Sequence, residues 1–152
     1  MATTKQYSAE LRSNDGYSIV TLEVSETDGF GTCSVQAMRD CTAITSGDAT
    51  YEFRADNQKF DCQELRAFIT RISDLTLPFT TSTAVEEIAL KAIEPQARII
   101  VEVSQPLQPL EGRRGIAQLR FSLDSERASF SISFKVDSSC LSNFGINARY
   151  TH

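Results

Sequence analysis

The sequence predicts an α+β domain of about seven antiparallel strands, forming a sheet or sandwich around one central amphipathic helix, with a short helix near the C-terminus. Three observations predict it. Apolar and polar residues alternate with period two along most of the chain, while residues 60–75 alone carry a strong 3.6-residue period. The composition, 41% hydrophobic and 23% charged over 152 residues, is that of an ordinary globular protein, and the length suits a single domain spanning 1–152.

The elements follow in order. YSAEL places Tyr7, Ala9 and Leu11 on one face, Ser-Asn-Asp-Gly supplies a tight turn, and YSIVTLEV places Val20, Leu22 and Val24 on one face of a second strand. A third strand runs from Phe30 to Met38, with Cys33, Val35 and Ala37 inward and Thr32, Ser34 and Gln36 outward. A fourth lies in DATYEFRAD, where Ala49, Tyr51, Phe53 and Ala55 share a face. The helix comes next. Asp61 and Glu64 have capping-box spacing, Phe60 and Leu65 can form a hydrophobic staple, and Leu65, Phe68, Ile69, Ile72 and Leu75 mark one helical face. Pro78 prevents its continuation.

Residues 83–95 fit two patterns. Thr83 and Glu86 repeat the capping-box spacing, yet Ile88, Leu90 and Ala92 alternate as in a strand, and the second half is expected to be extended. ARIIVEVSQ is a strand by its β-branched content. QPLQPLEGRRG is a loop, and IAQLRFSL with RASFSISFKV forms a second hairpin. In it Phe130, Ile132 and Phe134 face the core beside Leu119, Phe121 and Leu123. SSCLSNFG reads as one or two helical turns ended by Gly145. No sequence repeat or low-complexity segment is evident.

Charge and residue inventory exclude several functions. The net charge is −5, and residues 1–62 hold all of it, with ten acidic and five basic side chains against ten of each in residues 63–152. Such a half repels nucleic acid, so direct nucleic-acid binding is not expected, whereas a basic protein would be drawn to it. Glu23, Glu26, Asp28, Asp40 and Asp48 are the candidate partner-binding residues. The longest apolar run is far shorter than a membrane span requires, and MATTKQYSAELRSNDG does not resemble a signal peptide, so the expected location is the cytoplasm without membrane association.

Cys33, Cys41, Cys62 and Cys140 lack C-x-x-C spacing and are expected to be reduced. The only histidine is His152, so neither a Ser-His-Asp nor a Cys-His arrangement has a base, and a zinc site has few ligands. Cys62 occupies the first helical position, where a thiolate is favoured, but Asp61 opposes that effect. The expectation is therefore no catalytic residue, no metal and no cofactor. The GFG at 29–31 lies in an acidic loop and suits phosphate poorly, and GRRG at 112–115 reads as a loop tip.

The order of FDCQELRAFITRISDL, GRRGIAQLRFSL and SFSISFKVDSSCLSNF resembles that of immunity proteins of the WapI type, from bacterial polymorphic toxin systems. Phe134, Asp137 and Leu141 roughly match an F-x-F-x-x-D-x-x-x-L segment of that family. The resemblance implies a non-enzymatic protein that binds and neutralises a toxin, often a basic nuclease. Two other readings stay open: a structural or assembly subunit of a phage or secretion particle, forming homo-oligomers through strand edges, and a mobile-element inhibitor of a host nucleic-acid-processing complex.

Overall fold

Each half of the chain forms a four-stranded antiparallel meander followed by a helix. A computed structural model describes residues 5–27, 29–40, 50–75, 85–92, 97–104, 116–125 and 129–148, without the side chains of 40, 50, 51, 57 and 146–148. The first sheet has the order β1 (Lys5–Arg12), β2 (Ser18–Thr27), β3 (Phe30–Asp40), β4 (Thr50–Asp61) and leads into α1 (Cys62–Ser73). The second has the order β5 (Val85–Lys91), β6 (Ala97–Ser104), β7 (Ala117–Ser125), β8 (Ser129–Val136) and leads into α2 (Ser138–Ala148). The α+β class is as expected, with eight described strands where the alternation predicts about seven.

Phase explains the first sheet. Tyr7, Ala9 and Leu11 pair across to Val24, Leu22 and Val20, and those to Cys33, Val35 and Ala37, so one face carries nearly all the apolar side chains. The first turn is closed by Gly16 at φ 81°, a conformation that favours glycine. β4 extends beyond the segment read from the sequence, because an extra residue opposite Ser34 restores the inward phase for Gln58 and Phe60. Phe53 points to the inner face but is 46% exposed; it lies at the end of the sheet, where it stacks on Phe130 with centroids 5.5 Å apart. Ala49 and the side chain of Tyr51 lie outside the described residues.

Both helices begin alike. The Asp61 carboxylate accepts from the Glu64 N–H and the Asp137 carboxylate from the Cys140 N–H, each at 3.0 Å. Lys59, Phe60, Asp61, Leu65 and Phe68 correspond to Lys135, Val136, Asp137, Leu141 and Phe144 at one constant offset (137 − 61 = 76). The apolar members are all buried. The structure thus contains a repeat of architecture with a short sequence echo at the strand-to-helix junction. α1 packs on β5 and α2 packs on β1, so each helix rests against the first strand of the other half, and the helices touch each other. The buried side chains of both sheets and both helices form one cluster.

One expectation is corrected here and another is met. Gly145 does not end α2; the helix passes through it. A Cβ at Gly145 would lie 2.5 Å from Ser73 Oγ and 2.6 Å from Ser73 Cβ, so this glycine lets the two helices approach. In residues 83–95 the strand Val85–Lys91 matches the extended reading, and because Glu86 lies within it the 83–86 capping-box spacing is coincidental. The second hairpin follows the expected register, with Leu119 opposite Phe134, Phe121 opposite Ile132 and Leu123 opposite Phe130.

Candidate functional site

At the start of α1, the chain gathers its most constrained polar groups. Glu26 continues the inward phase of Val20, Leu22 and Val24, so its side chain is buried, and Arg66 from α1 covers it. Arg66 Nε lies 3.0 Å from both Glu26 carboxylate oxygens, a bidentate pair that raises the Arg66 pKa. Helix and sheet approach closely at this point because Gly31 lies below Leu65; a Cβ there would come within 3.2 Å of Leu65 Cδ2. Tyr7 shares the pocket, and its buried hydroxyl has no hydrogen-bond partner. Burial first, and then the charge of Glu26, push its pKa well above the usual tyrosine range.

The Cys62 thiol is held in its protonated form. Burial, a hydrogen bond to Glu26 and the charge of that carboxylate push its pKa up to about 11, outweighing the opposing pull of Arg66. Position at a helix start does not make this a thiolate, because the nearest charge is a carboxylate. Cys33 is pushed up to about 12, chiefly by burial, and burial raises Cys140 as well. Cys33, Cys62 and Cys140 are all free thiols. Among the described residues, no group of three or more His, Cys, Asp or Glu side chains has metal-binding geometry.

Of the acidic residues singled out in the sequence, the two with described side chains, Glu23 and Glu26, lie on opposite faces of the first sheet. Glu26 is buried and neutralised by Arg66, so it presents no free charge. Asp28 and Asp48 lie outside the described residues, as does the side chain of Asp40. Along β3 the position facing Glu26 is Gly31, nine residues from Asp40 (40 − 31 = 9), so at about 3.3 Å per residue Glu26 and Asp40 lie at opposite ends of the sheet. Glu23 is exposed on the outer face, midway along β2, with Ser8 and Ser34 on its flanking strands.

Three further carboxylates share that outer face: Glu10, Glu52 and Asp56. Glu10 is 3.5 Å from Arg12, Glu52 accepts from Gln36 at 2.6 Å, and Asp56 pairs with Arg54 at 2.7 Å. The Asp56 pKa is lowered, first by the Arg54 hydrogen bond. Glu23 makes no described hydrogen bond or ion pair. Ser8, Thr21, Ser25, Thr32, Ser34 and Gln36 surround Glu23 with hydroxyl and amide groups, while the same face carries Ile19 opposite Met38 toward one end and exposed Phe30 at the other. Sequence reasoning missed Glu10, Glu52 and Asp56 because their shared face follows from strand register, which only the pairing reveals.

No helix of the described residues is long and apolar enough to cross a membrane. Comparison of the chain with models of known protein families, with characterised proteins and with solved structures gave no match.

Proposed function

We propose that this chain is a non-enzymatic binding protein that neutralises one protein partner, as an immunity protein does a toxin, and that it engages that partner with the outer face of the first sheet. The observation that carries the reading is Glu23, an exposed carboxylate at the centre of the outer sheet face that makes no described hydrogen bond or ion pair, with the Arg54 charge acting on it only from a distance. A cationic side chain docking there gains an ion pair without first breaking one, and the surrounding hydroxyls supply donors and acceptors that adapt to a partner. The paired carboxylates Glu10, Glu52 and Asp56 keep the wider face from being cationic. The protonated thiols and the coordinated burial of Glu26 under Arg66 fit structural roles rather than chemistry. The cytoplasm is the location we assign, since partner and inhibitor meet there.

Capture from native lysate on tagged protein, eluted by a salt step and identified by mass spectrometry, tests this. A basic partner released by moderate salt is expected, and Glu23→Lys, alone and with Glu10→Lys, should lose it while the fold is retained. Charge reversal at Asp28, Asp40 and Asp48 belongs in the same series. Undiminished binding by the Glu23→Lys/Glu10→Lys variant would overturn the assignment of this face. The assembly-subunit reading is favoured by a different feature, the edge strand of the second sheet.

A further inference from the structure

The second sheet has one edge that is covered and one that is open. On β8 the backbone carbonyl oxygens of Ser133 and Lys135, two residues apart and so on the same side, accept from the Arg39 guanidinium and from the Asn14 N–H. The opposite edge is β5, and no described hydrogen bond reaches its outer side. Which groups it presents follows from the pairing. Ala92 donates to the Ala97 carbonyl at 2.8 Å, which makes this a hydrogen-bonded pair of the β5–β6 ladder. Counting back by twos, Leu90, Ile88 and Glu86 bond inward to β6, and Val85, Glu87, Ala89 and Lys91 direct their N–H and C=O groups outward. Helix α1 does not close this edge: an open groove of about 320 Å³ separates Glu64, Ala67, Phe68 and Arg71 from Ala89, Leu90 and Lys91.

Charge on the outer face of this sheet is arranged in like-signed pairs. Glu87 lies directly opposite Glu102, and Lys91 directly opposite Arg98. Like charges facing each other across strands are unfavourable. Farther in, Arg120 lies beside Glu102 and Asp124 beside Arg98, but no described strand lies on the outer side of Glu87 or Lys91; Lys91 shares only the groove to α1, where Glu64 and Arg71 carry one charge of each sign. Four residues apart on one strand, at about 3.3 Å per residue, Glu87 and Lys91 are too distant to pair with each other.

From this geometry we infer that β5 is a homodimerisation edge, which pairs antiparallel with β5 of a second copy about a two-fold axis at Ala89. In that register Glu87 faces Lys91 of the second copy and Lys91 faces its Glu87, so the Glu87–Glu102 pair meets the Lys91–Arg98 pair twice. All three facing pairs join residues with outward backbone groups, so each exchanges two hydrogen bonds. The small Ala89 side chain sits on the axis. Moving the axis one residue either way sets Glu87 or Lys91 opposite the second copy's Ala89 and forfeits the facing ion pairs, and moving it two residues sets Glu87 or Lys91 against its own copy. Charges on an edge strand ordinarily prevent association; these favour the register centred on Ala89, the one in which both charges of each copy find an opposite charge. The two four-stranded sheets then form one continuous eight-stranded sheet. This dimer does not use the outer face of the first sheet, so either assignment can fail without the other.

Sedimentation of the full chain tests the inference. At about 100 µM a species of twice the 16.8 kDa chain mass is expected, weakening as salt rises. Glu87→Lys and Lys91→Glu should each raise the dimer dissociation constant at least tenfold. An equimolar mixture of the two variants should associate, and the double variant Glu87→Lys/Lys91→Glu should recover the wild-type constant. Neither single change threatens the fold, since each removes a like-charge pair within the sheet; thermal unfolding checks this. A monomeric wild type at that concentration, or a mixture that associates no better than its components, would overturn it.

Discussion

Replacing Gly145 by alanine separates two accounts of a glycine inside a helix. In the first it is a defect, and alanine stabilises α2 by about 1 kcal/mol through helix propensity. In the second it is a contact, since the new Cβ would lie 2.6 Å from Ser73 Cβ and 2.5 Å from Ser73 Oγ. Carbon atoms rest at about 3.5–4.0 Å, so the helices must move apart by about 1 Å. Rotating Ser73 moves only its hydroxyl, which in any case donates to the Thr70 carbonyl at 3.0 Å; its Cβ is fixed to the last turn of α1. Overpacking of this kind costs about 1–3 kcal/mol, which leaves a net loss of about 1 kcal/mol after the propensity gain. Urea unfolding of Gly145→Ala should show a lower midpoint at unchanged slope. In a Ser73→Gly background the same substitution should become stabilising, whereas Ser73→Ala, which keeps the Cβ, should rescue little. If Gly145→Ala stabilises equally in all three backgrounds, the two helices are not in contact there and the account is wrong.

Three other expectations follow from the described geometry. Arg66→Met should destabilise the fold by about 1–2 kcal/mol in urea unfolding; the loss of a fully buried pair costs more, but the Arg66 side chain is half-exposed. Asp61→Ala and Asp137→Ala should each cost about 1 kcal/mol as lost caps, and nearly additively, measured in the same way. Between pH 9 and 12 stability should fall, because Cys33 and Cys62 are raised from 9.0 to about 12 and about 11: their contribution is complete below pH 9 and is lost as pH rises through the folded values. A Cys33→Ala/Cys62→Ala variant should flatten that alkaline limb, and alkylation of Cys62 should still be accelerating at pH 10.

What was legible in the sequence is what local phase determines. β1, β2, β7 and β8 alternate without interruption, and α1 announces itself through Asp61, Phe60 and the Leu65–Ile72 stripe, so all of these could be read directly. Gly145 misled because a glycine after an apolar turn has two causes that look the same in one dimension, a helix stop and a helix crossing; only the position of Ser73 separates them. The doubled architecture escaped because the strands of the two halves share alternation but not residues, and the echo at Lys59 to Phe68 and Lys135 to Phe144 is confined to positions that any capped, core-facing helix needs. Glu26 is more instructive. Its place in the run Val20, Leu22, Val24, Glu26 already put it on the inner face, and that phase was the available signal that it is a buried, paired charge. Glu23, one step out of that phase, was the exposed one. Its companions Glu10, Glu52 and Asp56 come from three separate places in the chain, as do Glu102 and Arg98 beside Glu87 and Lys91. Charge on a sheet is organised across strands, and a sequence lists it along them. The two surfaces on which function is proposed here therefore became visible only once the register was known.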